Sequence, residues 1–318
     1  MAGTLTVCRK EIADHVGSRR YILLFALILL LSTMSAYQGV EYIRNNPNAG
    51  FMAIFSGAQA SFSFAYLMVF FGPIIGLALG FDAINKERTS GSLSVLLAQP
   101  IYRDSVINGK FLGGIAALSL LTVSTIAIIC GAAVPLLGFG PTLDDISRIT
   151  LFTLLTVLYL AFWLGLGILY STVTKKTSTS MLMSVATWLF CAVVITIIAM
   201  LVANMVAPIH MPTGGNATNP FQSPEYRELL QKSSTIQTYI QRISPAYLYS
   251  EAASSILGVA TSTFGFTRLG GGTPFQLPEL SQGLITSWPQ ITALAVLLII
   301  CFVTSYMLFL RQEIRPGG

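Results

Sequence analysis

The sequence predicts an all-α integral membrane fold: about six transmembrane helices, an amphipathic elbow helix ahead of the first, and a helical extracellular segment between the fifth and sixth. Three observations predict it. Hydrophobic residues make up 53% of the 318 residues and charged ones only 10%, against about 25% charged in an average soluble domain, so the chain cannot clothe itself in a water-facing surface. Uncharged runs recur at the length of roughly 20 residues that crosses a hydrocarbon core about 30 Å thick. These runs are continuous, whereas the strands of a membrane barrel alternate apolar and polar residues in short segments.

Residues 1–20 precede any span. Within 3–17, Leu5, Cys8, Ile12 and Val16 share one helical face and Lys10 and Asp14 lie opposite, the pattern of a helix resting on a membrane surface. A merely solvated tail is the alternative. The first span covers about 21–40, flanked by Arg19 and Arg20 before it and Glu41 and Arg44 after it. It is long and lacks a small-residue cleavage site, so it is expected to stay as an anchor.

The second span covers about 62–81, where Gly72, Gly76 and Gly80 recur every fourth residue and make a flat strip for a neighbouring helix. Pro73 removes a backbone donor there and is expected to kink the span. A charged stretch, 82–110, leads to a third span at about 111–137; Pro141, Asp144 and Asp145 then mark a short turn before a fourth at 149–173. Lys175 and Lys176 sit in a very short link to the fifth, 179–207, and the sixth, 289–310, ends at Arg311 with a tail at 311–318.

Between the fifth and sixth spans, residues 208–288 are too polar overall to cross but carry helix signals. Ser223–Pro224 and Ser244–Pro245 each offer an N-cap followed by a first helical residue. Leu229, Ile236, Ile240 and Ile243 recur on one face of the first helix, and Gly258 is a stop for the second. The Gly270 to Gly272 run and Pro274 break regularity. The segment reads as a small external subdomain capping the bundle. A re-entrant or spanning course for 246–266 is the alternative; a full crossing would export Arg311 and Arg315. Asn216-Ala217-Thr218 on that side matches a glycosylation acceptor.

Orientation follows from the basic residues, because short cytoplasmic loops retain positive charge. One side collects Arg9, Lys10, Arg19, Arg20, Lys86, Arg88, Arg103, Lys110, Lys175, Lys176, Arg311 and Arg315; the short loops of the other hold Arg44 and Arg148. Both termini are therefore expected in the cytoplasm of a multi-pass plasma-membrane protein. The net charge of +5 then needs no nucleic acid, since cytoplasmic Lys and Arg attract anionic lipid headgroups.

Candidate chemistry is sparse. Cys8, Cys130, Cys191 and Cys301 have no metal-ligand or redox spacing, and His15 and His210 fall on opposite sides, so no catalytic residue and no metal site is assigned. The fourth span places Thr150, Thr153, Thr156, Tyr159 and Trp163 on one hydroxyl-rich, aromatic face, suited to a translocation path or a helix contact. No ionised side chain lies deep within a predicted span, which argues against proton-coupled transport.

The most informative segment is 82–110. Its first half can form a surface helix with Ile84, Leu93, Leu96 and Leu97 as apolar contacts, leaving Lys86, Glu87 and Arg88 available to an aqueous partner; Pro100 ends it. The succession Glu87-Arg88, Gly91-Ser92-Leu93, Leu96-Leu97, Pro100, Arg103 and Gly109-Lys110 resembles the permease subunits of ABC-type-2 exporters, the NosDFY type among them. The resemblance implies that this segment carries the coupling helix that receives the stroke of an ATPase, with Lys86, Glu87, Arg88, Gly91, Leu93, Pro100, Arg103 and Lys110 as its residues. It likewise implies that Lys175-Lys176 form a second cytoplasmic contact and that Arg9, Lys10 and Glu11 mark the elbow helix. The implied partners are cytoplasmic ABC ATPase subunits, which would hold ATP and Mg, and a second permease chain. No phosphate-cradling G-x-x-x-x-G-K-[ST] loop occurs in this chain, so it is read as no enzyme and as holding no cofactor itself. The function expected is a permease subunit of an ATP-driven exporter. The alternative is a mechanotransmitter or membrane anchor that acts on an extracellular partner without moving a substrate.

Overall fold

The computed structural model describes residues 2–46, 49–56, 63–91, 102–208, 224–258 and 279–311. Helix α1 spans Ala2–Val16, α2 Arg19–Asn45, α3 Ala53–Ser56, α4 Phe64–Gly80 and α5 Asn85–Thr89. Helix α6 spans Arg103–Leu137, α7 Leu143–Val173, and α8 Thr177–Leu189, which continues through a π-helical turn at Phe190–Val194 into α9, Ile195–Val206. Two shorter helices follow, α10 at Pro224–Gln241 and α11 at Pro245–Leu257, before α12 at Leu280–Arg311. Among the described residues six helical runs are long and apolar enough to cross a membrane: α2, α4 continued through α5, α6, α7, α8 with α9, and α12. The chain is a multi-pass membrane protein, and both ends of this six-span path lie at one end of the bundle.

Local chemistry sets the boundaries. Ser18 accepts a hydrogen bond from Tyr21 N at 3.2 Å to start α2, and Ser63 accepts one from Tyr66 N at 3.1 Å to start α4. Helix α6 stops at Gly138, whose φ of 78° is open to glycine at little cost. Helix α7 opens on a capping box, in which Thr142 Oγ1 accepts from Asp145 N at 3.2 Å and the Asp145 carboxylate accepts from Thr142 N at 2.9 Å. The predicted spans are helical, but several helices run past them: α6 begins at Arg103, α7 at Leu143 and α12 at Leu280. Polar turns at the bilayer surface extend a helix whose apolar stretch marks only the hydrocarbon part.

Helix α7 is the centre of the bundle, packed by α4, α6, α8, α11 and α12. The glycine strip of α4 faces it. A Cβ at Gly76 would stand 2.7 Å from the Leu160 carbonyl oxygen, and one at Gly80 2.6 Å from that of Leu164, so the two backbones touch where no side chain fits. Pro73 sits inside α4, which runs from Phe64 to Gly80. Phe55, Phe64 and Phe152 close the end of the bundle away from the termini, with ring centroids 5.8 to 6.0 Å apart.

Residues 245–257 do not cap the bundle from outside. Helix α11 packs against α12, α7 and α4, with Ala246, Tyr249, Ala252, Ala253, Ile256 and Leu257 buried. Tyr249 stacks on Tyr159, at 4.4 Å between centroids, midway along α7. Ser244, in the turn between α10 and α11, donates at 2.9 Å to the carbonyl of Cys191, midway along the α8–α9 run. Helices α10 and α11 thus form a hairpin that enters from the end opposite the termini, reaches mid-depth and returns. Helix α11 is held there by one apolar face, Ala246, Tyr249, Ala252, Ala253 and Ile256, covered by α4, α7 and α12, while Glu251, Ser254 and Ser255 lie on its less buried side. At 13 residues and a rise of about 1.5 Å each, α11 is too short to cross. The glycosylation motif at Asn216, Arg315, His210 and the 270–274 break lie outside the described residues.

Candidate functional site

At the end of the bundle that carries the termini, three segments far apart in sequence meet on one lysine. Lys110, in the second turn of α6, is 4% exposed. Its Nζ donates to Glu11 Oε1 of α1 and to Glu87 Oε1 of α5, both at 2.8 Å. Lys10 Nζ approaches Glu87 at 3.7 Å and Glu11 at 3.9 Å. The two lysines and two glutamates sum to zero charge, and each buried ionised group has an opposite partner, as burial requires. Beside them a cavity of about 420 Å³ is lined by Asp14, His15, Arg20, Asp82, Lys86 and the cluster itself. Burial holds the His15 imidazole below its ordinary value of 6.5, against the pull of Glu11 that would raise it.

The elbow helix reaches this lysine because α6 lacks side chains where it docks. A Cβ at Gly109 would stand 2.6 Å from Val7 Cβ, and one at Gly113 2.6 Å from Glu11 Cβ. The face docked on α6 is therefore Val7, Cys8 and Glu11; of the Leu5, Cys8, Ile12 and Val16 stripe expected on the membrane surface, Leu5 is 72% exposed and Val16 packs against the core. Close backbone approach selected the face, and the apolar Leu5 was left pointing away from the protein. Arg9 and Lys10 are exposed on α1.

The short helix α5 is fastened to the end of α7. Ile84 N and Asn85 N donate to Ser171 Oγ at 2.9 and 3.0 Å, Asn85 Nδ2 donates to Thr174 Oγ1 at 2.9 Å, and Arg88 Nη1 to the Thr174 carbonyl at 3.0 Å. Arg20 pairs with Asp82 at 2.6 Å and lies over the Phe81 ring. Ile84 is buried with Val106, Ile107 and Phe309 instead of resting on lipid. Of the trio expected to face an aqueous partner, Lys86 alone is exposed. Glu87 and Arg88 are turned inward, Glu87 by the buried Lys110 and Arg88 by carbonyls left unsatisfied where α7 ends. Gly91 stands just beyond, at φ 71°. Arg103, at the start of α6, and Lys175 and Lys176, between α7 and α8, are exposed at the same end. Leu93 and Pro100 lie outside the described residues, as do Ser92, Leu96 and Leu97.

From Thr156 to Trp163 the hydroxyl and aromatic face of the fourth span is a helix contact in this chain, whereas Thr150 is exposed. Thr156, Tyr159 and Trp163 are fully buried. Tyr159 Oη donates to the Val69 carbonyl at 3.0 Å, and Thr156 Oγ1 lies 2.9 Å from Tyr249 Oη. Thr153 is half-buried and bonds back to the Ile149 carbonyl at 2.6 Å. Two features escaped the sequence reading. Arg148 is buried, bonded to Asp144 at 2.7 Å and to the Ile256 carbonyl at 3.0 Å, so its charge meets the exposed carbonyls at the end of α11. Arg242 and Glu251, bonded at 2.6 Å across the hairpin, bring charge to mid-depth although no span contains it there. Their signal in the sequence was a Ser-Pro helix start, with Arg242 just before it and Glu251 as the one charged residue of the helix after it.

Two curated relatives share part of the chain. It is 35% identical over 118 residues to the "Probable ABC transporter permease protein NosY" of Pseudomonas aeruginosa, covering 37% of this chain and 41% of the relative. It is 32% identical over 117 residues to the protein of the same description from Stutzerimonas stutzeri, covering 36% and 40%. The chain thus matches about two fifths of the length of these relatives. The family model "ABC-2 family transporter protein" matches residues 5–314, nearly the whole length and every element around Lys110. The chain belongs to the ABC-2 family of transporter proteins.

Proposed function

We propose that this chain is the membrane permease subunit of an ATP-driven ABC exporter, and that the Glu11–Lys110–Glu87 junction carries the stroke of a separate cytoplasmic ATPase into the spans. The observation that supports this most is the convergence on Lys110. One glutamate stands on the segment joining the second and third spans, the other on the elbow helix, and the lysine on the third span. A push on α5 is transmitted to α1 and α6 through charge-assisted hydrogen bonds, and to α7 through Ser171 and Thr174. Lys86, Arg103, Lys175 and Lys176 provide exposed charge for the ATPase surface at the same end. ATP and Mg belong to that partner. A second permease chain completes the pathway, both termini face the cytoplasm, and the site of action is the plasma membrane.

The test is co-reconstitution of the chain with its candidate ATPase, comparing Glu87→Gln with the parent for ATP hydrolysed and cargo moved. The expected result is a severalfold lower ratio of cargo to ATP with the complex still assembled. An unchanged ratio in both Glu87→Gln and Lys110→Met would remove the junction from the coupling route. A second reading, force transmission to an external partner, is favoured by α11, which ties mid-depth to the far end through Tyr249 and Arg148. It predicts ATP-dependent binding of an external protein with no compound moved in vesicles.

A further inference from the structure

The hairpin places an ionised pair where the bilayer would be most apolar. Ser244 is bonded to Cys191 midway along the α8–α9 run, and Tyr249 is stacked on Tyr159 midway along α7, so the intervening turn lies near the middle of the spans. Arg242 and Glu251 flank that turn and form a two-point pair, Nη2 to Oε1 at 2.6 Å and Nε to Oε2 at 3.1 Å. The described residues do not seal it. The two side chains are 42% and 21% exposed, and their neighbours Tyr239 and Ile243 are 67% and 69% exposed. The guanidinium also lies 5.8 Å from the Tyr239 ring centroid. Ionised side chains at membrane depth pair with one another and face a bundle interior or water, because contact with acyl chains is costly. The pairing is present, but among the described residues the enclosing interior is not.

We propose that Arg242, Glu251 and Tyr239 form the floor of a water-filled cleft entering from the end opposite the termini, and that a charged or zwitterionic cargo group is met there halfway across. A guanidinium and a carboxylate joined at two points, with an aromatic ring beside them, present both signs of charge to such a group. The cargo assignment rests on the permease reading; the cleft does not.

The experiment uses the full chain in sealed vesicles, with Cys8, Cys130, Cys191 and Cys301 replaced by alanine and no ATPase present. Ile243→Cys is compared with Leu143→Cys, at the start of α7, and with Phe190→Cys, exposed at mid-depth on an apolar helix. The probes are the membrane-impermeant trimethylammonium-ethyl and sulfonatoethyl methanethiosulfonates, added from the side opposite the termini. Ile243→Cys is expected to react within about tenfold of Leu143→Cys and at least tenfold faster than Phe190→Cys. Adding Arg242→Gln is expected to shift the ratio of cation to anion rates severalfold toward the cation, with Glu251→Gln shifting it the other way. Reaction no faster than Phe190→Cys overturns the cleft, as does a disulfide between two copies at position 243 without reaction toward either probe. Rates insensitive to both charge substitutions overturn the site. Because Ile243→Cys leaves the pair intact, a misfolded charge variant does not blunt the first comparison, and failure here leaves the coupling proposal standing.

Discussion

Replacing Lys110 by methionine removes the buried cation that donates to both Glu11 and Glu87. Glu87 keeps Lys10 at 3.7 Å and some solvent, with 14% of its side chain exposed. Glu11 is left worse off, 9% exposed, with Lys10 at 3.9 Å and His15 at 4.0 Å. Breaking a buried pair by deleting one partner costs about 3–5 kcal/mol. The remaining lysine places the expectation near the lower end, at about 3 kcal/mol. Adding Glu11→Gln to Lys110→Met removes the stranded charge and should recover much of that loss, a coupling of roughly 1–3 kcal/mol in a double-mutant cycle. The assay is unfolding in mixed detergent and dodecyl sulfate micelles, followed by tryptophan fluorescence, on the parent, both single variants and the double. A Lys110→Met chain within about 0.5 kcal/mol of the parent, the range of an ordinary surface change, would refute the view that this junction holds α1, α5 and α6 together.

Gly80→Ala should destabilise by about 1–3 kcal/mol, because its methyl would stand 2.6 Å from the Leu164 carbonyl oxygen. Gly131→Ala, with nothing within 4 Å, should be neutral or stabilising, and the same unfolding assay compares the two. Tyr249→Phe should cost about 1 kcal/mol through the lost bond to Thr156, and Tyr249→Ala about 3–5 kcal/mol through the emptied stack on Tyr159. His15 is held below its ordinary 6.5 by burial, so at intermediate pH the unfolded chain binds more protons than the folded one. Its contribution is present above about 6.5 and is lost as pH falls below that value. Unfolding midpoints at pH 7.5 and 5.5 should differ more in the parent than in His15→Gln.

The spans were legible because about 20 apolar residues in a row have few other solutions. The hairpin's helices were legible too, since Ser244–Pro245 and Gly258 are start and stop signals whatever the surroundings; α11 ends at Gly258 with φ 69°. Its depth was not, because that depends on which faces α4, α7 and α12 leave open. Glu87 and Arg88 were misread for a related reason. A charged triplet in a loop is usually solvated, and only the buried lysine 23 residues later and the bare end of α7 turned two of its members inward. The docking of Val7 and Glu11 on α6 was not legible in the apolar pattern of α1, because it depends on two missing side chains, at Gly109 and Gly113, on another helix.

The central position of α7 also reverses an intuition carried over from water-soluble proteins. The most apolar run, Thr177–Val206 at a mean hydropathy of 2.7, has only 17% of its window buried, whereas Leu143–Val173, at 2.1, has 72%. Lipid is as apolar as leucine, so greasiness here goes with the outward surface of the chain and says little about helix–helix fit within it. Exchanges among Leu, Ile, Val and Phe should therefore pass almost unnoticed along the outward surface of α8 and α9. Along α7 the same exchanges would meet another helix in nearly every direction, and shape would govern which ones the protein accepts.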